Sequence, residues 1–286
     1  MQRDSQFDYV AVGHITIDVM PDGSTRPGGS ALYGALQASR LGLRAFVLTR
    51  GVRTQIEALI EPFADELELS VQPACETTTL RTAGMGSARR QHVLAWAGAI
   101  EPTQLPVAAV LHLAPVAREL DWRPPAWQGF VGLTPQGLAR RWASLGGELS
   151  SCAPTPGAAA LATGVDALVV SRLERESCAQ MIELARASGA LVAITAGHAS
   201  TEILLGSGGE RREVPVEQVD APADDLGAGD VYASTLFVTL AQGASVDDAA
   251  ELAGDAAALR MLGVGAQAVA GRAEIEALRA RRAAPR

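Results

Sequence analysis

The 286-residue sequence contains no lysine; all 24 of its cationic side chains are arginine. A genomic preference for arginine accounts for the bias, and the exclusion it brings holds whatever its cause. A Walker-A loop, the strand lysine of protein kinases, a pyridoxal Schiff base and a Schiff-base aldolase all require a lysine, so this chain is none of these. Cysteine is scarce as well. Cys75, Cys152 and Cys178 are odd in number, scattered and without C-x-x-C spacing, which argues reduced residues in a cytoplasmic protein, not a disulfide frame or a metal site. No apolar run approaches the roughly 20 residues needed to span a bilayer, and the polar start MQRDSQFDY does not read as a signal peptide. Positive charge is in deficit, giving a net −8, which argues against nucleic acid or an anionic membrane as the main partner. His14, His92, His112 and His198 are far apart and lack ligand spacing.

What is present is the composition of an ordinary globular protein, 48% hydrophobic and 20% charged, long enough to bury a substantial core. Apolar strand candidates fall at about 8–13, 44–49, 108–113, 129–133, 167–170 and 190–195. Helical spacing recurs near 29–41, 54–66, 174–188, 228–242, 246–262 and 272–283. Strands alternating with helices argue an α/β fold with an open, mainly parallel sheet covered on both faces. Two stretches fit this alternation poorly. Residues 15–27 (ITIDVMPDGSTRP) alternate around an Asp-Gly turn, and 77–97 carry a glycine hinge between two strand-like pieces, so each reads as a hairpin. PTQLP at 102–106 and DWRPPAW at 121–127 read as loops, Trp122, Trp127 and Trp142 as packing residues, and the tail RARRAAPR as a solvated helix end.

The motif that carries chemistry is Asp-Asp-Leu-Gly-Ala-Gly-Asp at 224–230, followed by VYASTLFVTLAQG. A Gly-Ala-Gly turn opening a helix leaves the N–H groups of Gly227, Ala228 and Gly229 without intrahelical partners at the positive end of the helix dipole, an anion site. Asp230 follows in the first turn. Fixed donors for a phosphoryl group beside a carboxylate that can take a hydroxyl proton suit phosphoryl transfer to an alcohol. On a negative body that anion must be held by local N–H groups, arginines and Mg²⁺.

DDLGAGDVYAS resembles the C-terminal signature of the ribokinase-like (PfkB) carbohydrate and nucleoside kinases, usually Asp-Thr-Thr-Gly-Ala-Gly-Asp. Near the N-terminus YVAVGHITID leads into RPGGSALYGALQASRLG, similar to the family's glycine-pair signature. DALVVSRLERE at 166–176 resembles the strand and turn of its Asn-x-x-Glu motif, and LVAITAGHAS at 191–200 its nucleotide-site strand and glycine turn. The resemblance spans nearly the whole chain. It implies one three-layer α/β/α domain over 1–286, a small β-sheet lid built from about 15–27 and 77–97, ATP with Mg²⁺, and a sugar, cyclitol or nucleoside acceptor. It also implies a homodimer joined through the lids.

Residue by residue, the resemblance makes Asp230 the general base and Gly227, Ala228 and Gly229 the phosphoryl donors. Asp18 would accept from two acceptor hydroxyls, while Gly28 and Gly29 let backbone approach the acceptor closely. Tyr33 stands where the family commonly carries Asn, which argues away from ribose or fructose 6-phosphate and toward a cyclitol such as myo-inositol or another ring polyol. Of Arg89 and Arg90, strand alternation sends one to the site, and Arg90 is the expected one. Ser171, Thr195, Gly197 and Asp224 are expected at the nucleotide. Glu174 would organise Mg²⁺ through water. Asp225 and Leu226 replace the family's two threonines, which leaves open the monovalent cation that many relatives bind there, and Gly254 stands where an adenine-side Asn is common. These departures also admit a silent, ligand-binding member of the family. A dinucleotide oxidoreductase is excluded because the first strand opens no GxGxxG turn.

Overall fold

A computed structural model of the chain describes residues 6–197 and 199–283. His198 and the last three residues of the arginine-rich tail lie outside the described residues. In chain order the first half runs β1 (Tyr9–Val12), β2 (Thr16–Val19), β3 (Thr25–Gly28), α1 (Ser30–Arg40), β4 (Ala45–Gly51), α2 (Arg53–Ile60), β5 (Leu67–Pro73), β6 (Thr79–Ala83) and β7 (Arg90–Ala95). It continues with β8 (Val110–Leu113), β9 (Phe130–Leu133), β10 (Arg140–Arg141), β11 (Ser150–Ser151), α3 (Pro156–Ala159), β12 (Ala167–Ser171) and α4 (Ala179–Ala187). The remainder is β13 (Leu191–Ala196), β14 (Ala199–Leu205), β15 (Glu210–Val214), α5 (Ala228–Ala241), α6 (Val246–Met261) and α7 (Arg272–Ala283).

The larger sheet has nine strands in the order β15-β14-β13-β12-β9-β8-β1-β4-β5. From β13 to β5 all neighbours are parallel, and β14 and β15 add an antiparallel edge. Strand side chains alternate between two cores, as a sheet covered on both faces requires. Tyr9 and Ala11 of β1, with Ala167 and Val169 of β12, join the core under α1, α5 and α6; Val10, Val12, Leu168 and Val170 join the core under α4. The expected α/β/α layering is therefore present. Strand order reverses between β1 and β8, and in such sheets the crevice beyond the carboxyl ends at a reversal is where ligands bind.

A separate four-stranded sheet, β3-β2-β6-β7, forms from the two stretches that resisted the helix pattern. It is tied to the larger body by packing as well as by chain. Leu80 and Val93 meet Val116 and Ala117, Trp96 packs edge-on against Trp142 at 5.9 Å, and the Trp96 indole donates to the Ala117 carbonyl at 2.8 Å.

Some expected boundaries move. The helix expected over 54–66 ends at Ile60 and continues as a tight turn over Glu61–Phe63. The one expected from 174 begins at Ala179, because Ser171 and Glu174 close a capping box around a separate turn, Arg172–Glu174. The edge strand β5 and the β14–β15 hairpin were not anticipated. Among the described residues no helix is long and apolar enough to cross a membrane.

Candidate active site

Helix α5 opens at Gly227 in the left-handed conformation, φ 77°. The space beside its Cα is already taken: a Cβ there would stand 2.4 Å from the Tyr33 ring, so both the dihedral and the packing demand glycine. Past the turn, Val231 to Val238 are buried, which fixes the helix against the sheet and against α1. The Ala228 N–H reaches back to the Asp225 carbonyl at 3.3 Å. The N–H groups of Gly227, Gly229 and Asp230 have no acceptor among the described residues, and Gly229 faces open space. The cradle is thus built from a different trio than the sequence suggested, with Asp230 in place of Ala228.

This cradle lines a cavity of about 420 Å³ at the carboxyl ends of the parallel strands, walled on the far side by the small sheet. Asp230 and Asp18 both face it. Burial pushes the Asp230 carboxyl up to about 6, against the opposing pull of the Ser30 hydroxyl and Arg140. Asp18 likewise rises to about 6 through burial, against the Thr16 hydroxyl, which donates to its Oδ1 at 3.0 Å, and Arg140. Two carboxyls in one crevice, each poised near neutrality, suit proton transfer.

The positive charge at the cavity comes from Arg140, which the sequence did not single out, and from Arg89, the member of the Arg89–Arg90 pair not favoured there. Arg140 donates to the Val116 carbonyl and to Gln91 Oε1, both at 2.9 Å, and lines the cavity. Both partners are neutral, so its charge stays available to a ligand. Arg89 also lines the cavity and is ion-paired to Asp225, whose other oxygen accepts from the Gly86 N–H at 2.8 Å. The small sheet is thereby clasped to the residue two positions before the cradle. Nothing local in the sequence marks Arg140, which reaches the site only because the chain turns back after β9.

At the other end of the cavity Ser171, Glu174, Thr195 and Gly197 come together as expected. Ser171 and Thr195 are register partners at the ends of β12 and β13. The Glu174 carboxylate takes the Ser171 hydroxyl at 2.7 Å and the Gln136 amide at 2.7 Å. A small apolar wall of Val216, Gly254, Ala257, Ala258 and Met261 closes this end. Among the described residues no three His, Cys, Asp or Glu side chains gather to ligate a metal directly. Glu174 fits Mg²⁺ held through water: its oxygens are hard donors on the cavity wall, and Mg²⁺ keeps most of its own shell.

Three expectations need correction, and a fourth gains a second role. Arg90 turns outward and pairs with Glu148 at 3.3 Å, because the turn over Gly86–Ala88 shifts the alternation and sends Arg89 inward. Tyr33 does line the cavity, though only 3% exposed; its ring also buttresses Gly227 and its hydroxyl accepts from Arg260 at 3.4 Å. Gly28 serves Asp18 rather than a ligand, since a Cβ there would meet Asp18 Oδ2 at 2.1 Å, while Gly29 alone of the pair lines the cavity. Asp224 is buried and does not line the cavity. Burial alone would raise its carboxyl, yet the Leu226 and Gly265 N–H groups and Arg260 hold it below the ordinary range.

No family model matches this chain, and no curated protein matches it. Solved structures do. A pyrophosphate-dependent kinase in the ribokinase family, complexed with a pyrophosphate analog and myo-inositol, superposes with a TM-score of 0.74 at 17% identity, over 94% of this chain and 99% of that one. Arabidopsis thaliana ribokinase complexed with ribose and ATP gives 0.69 at 16% identity, over 95% and 98%. The Methanocaldococcus jannaschii nucleoside kinase gives 0.70 at 15%, over 94% and 98%. The chain has the ribokinase-like fold.

Proposed function

We propose that the protein is a phosphotransferase that moves the terminal phosphoryl group of ATP to a hydroxyl of a small polyol, a sugar or a cyclitol such as myo-inositol. The observation that carries the reading is the meeting of free backbone donors and a half-buried carboxylate, Asp230, on one cavity wall. In the reaction Asp230 takes the proton of the acceptor hydroxyl as its oxygen forms a bond to the terminal phosphorus. The bond from that phosphorus to the bridging oxygen breaks, and ADP leaves with the electron pair. The product is a phosphomonoester, and Asp230 returns its proton to water. The N–H groups of Gly227, Gly229 and Asp230 receive the phosphoryl oxygens, and Arg140 offsets charge between the two carboxyls.

Asp18 holds the acceptor by hydroxyls, and the small sheet serves as a lid that keeps water out. The apolar wall around Gly254 suits the face of an adenine. Glu174 would hold Mg²⁺ through water, where the metal supplies charge neutralisation on the phosphates. Arg140 lends weight to a polyol acceptor, because a charged donor on the cavity wall suits hydroxyl groups. A nucleoside acceptor is the alternative within the same chemistry. The test is product formation with Mg·ATP, and in parallel with pyrophosphate, against pentoses, hexoses, inositols and nucleosides, wild type beside Asp230→Asn. Pyrophosphate belongs in the panel because a similar fold uses it.

A further inference from the structure

Among the described residues the largest side chain wholly excluded from solvent is a charged one, Arg260, in the last turn of α6. Both terminal nitrogens of its guanidinium are met by oxygens. Nη2 donates to Asp224 Oδ2 at 3.0 Å and to the Tyr33 hydroxyl at 3.4 Å; Nη1 donates to the Gly263 carbonyl at 3.1 Å and the Asp224 carbonyl at 3.4 Å. Its carbon lies 5.2 Å from the centre of the Tyr33 ring, and its Nε has no partner. Burying an arginine to fill space is costly when leucine or methionine would fill it without charge. The charge therefore has a use.

Three of the four oxygens, those of Asp224 and Tyr33, belong to segments that frame the cradle. Asp224 begins the run into Gly227, and its carboxylate also takes the N–H of Leu226 and of Gly265, both at 3.0 Å. Tyr33 lies directly under Gly227. One carboxylate, two carbonyls and a hydroxyl form the hard-oxygen set that binds a small cation. Here a guanidinium occupies it. Resting on the reading of the cradle as a phosphoryl site, we propose that Arg260 acts as a tethered monovalent cation that sets the cradle's shape, so that the protein needs no added potassium or sodium. Arg260 is a positioning residue: it touches neither donor nor acceptor and acts through Asp224 and Tyr33.

The test has two arms. In the first, wild-type turnover is measured with potassium, sodium or tetramethylammonium as the counter-cation, and the rates stay within about twofold of one another, since the built-in charge replaces the ion. In the second, binding of inorganic pyrophosphate is measured by calorimetry for wild type, Arg260→Met and Arg260→Lys. Misplacement of about 1 Å costs up to roughly 10²-fold, so Met weakens binding ten- to a hundredfold while Lys, which keeps the charge, retains more. Added guanidinium restores the Met variant. Severalfold stimulation of the wild type by potassium, or a folded Met variant that binds pyrophosphate as the wild type does, overturns the proposal. If Met does not fold, Arg260→Gln, which also removes the charge, decides by the same comparison. Should no acceptor be phosphorylated, the kinase reading fails, and the pyrophosphate arm still judges Arg260.

Discussion

Replacing Asp230 by asparagine should make the protein more stable near neutral pH and almost inactive. The folded environment raises this carboxyl from 3.8 to about 6 through burial. A carboxyl raised on folding binds more protons in the native than in the unfolded state. Its neutral form is favoured, so its stability contribution is full below 3.8 and is lost as pH climbs through 6. At pH 8 the native protein carries the penalty. A difference of about two pH units at roughly 1.4 kcal/mol each caps it near ~3 kcal/mol, and water in the open cavity reduces it to about 1–2 kcal/mol. Asparagine keeps the shape and removes the charge. At about 2–4 °C per kcal/mol, Asp230→Asn should raise Tm by a few degrees at pH 8. Most of the gain disappears at pH 4, where wild-type Asp230 is protonated. Paired thermal melts at the two pH values read this directly. A variant less stable than wild type at pH 8, or a gain equal at both values, refutes the argument that buried charge at this position is held at a cost in stability.

Four further outcomes follow from the same geometry. The kcat/KM profile with an accepted polyol should rise with pH around 6, where Asp230 and Asp18 give up their protons; a flat profile from pH 5 to 8 contradicts the base assignment. Arg140 lowers Asp230, so Arg140→Met should move that rise to higher pH, and an unmoved limb would separate the two residues. Gly227→Ala combines a left-handed φ with a contact on the Tyr33 ring, and denaturant unfolding should show a loss of about 2–5 kcal/mol. Asp225→Ala releases Arg89 and the Gly86 N–H, so hydrogen exchange over 84–89 should accelerate and the acceptor KM should rise; unchanged exchange would mean the small sheet is held elsewhere.

The alternation of apolar runs made the parallel sheet legible, since strands buried on both faces leave continuous hydrophobic segments such as YVAV and ALVVS. The β14–β15 hairpin was hidden because its second strand, ERREV, is an exposed edge whose charges mask the pattern. In the site, Asp230 and Asp18 were readable because each follows a local signature. The packing roles of Tyr33 and Asp224 were not readable, for the opposite reason. Their partner Arg260 lies far along the chain, and only the fold reveals that the ring and the carboxylate are already engaged. Arg89 and Arg90 could not be separated by alternation, because one tight turn over Gly86–Ala88 resets it. The chain contains no asparagine, so the three positions where an amide was expected differ together rather than as separate losses.

Phosphorus NMR of purified protein with Mg·ATP and a panel of sugars and inositols reads whether Asp230 and the adjoining backbone donors transfer a phosphoryl group to a hydroxyl. A phosphomonoester should appear with at least one acceptor, and Asp230→Asn should slow its formation by ~10²–10⁴. An equal rate from the asparagine variant, or a wild type that binds ATP yet phosphorylates no member of the panel, would contradict that assignment.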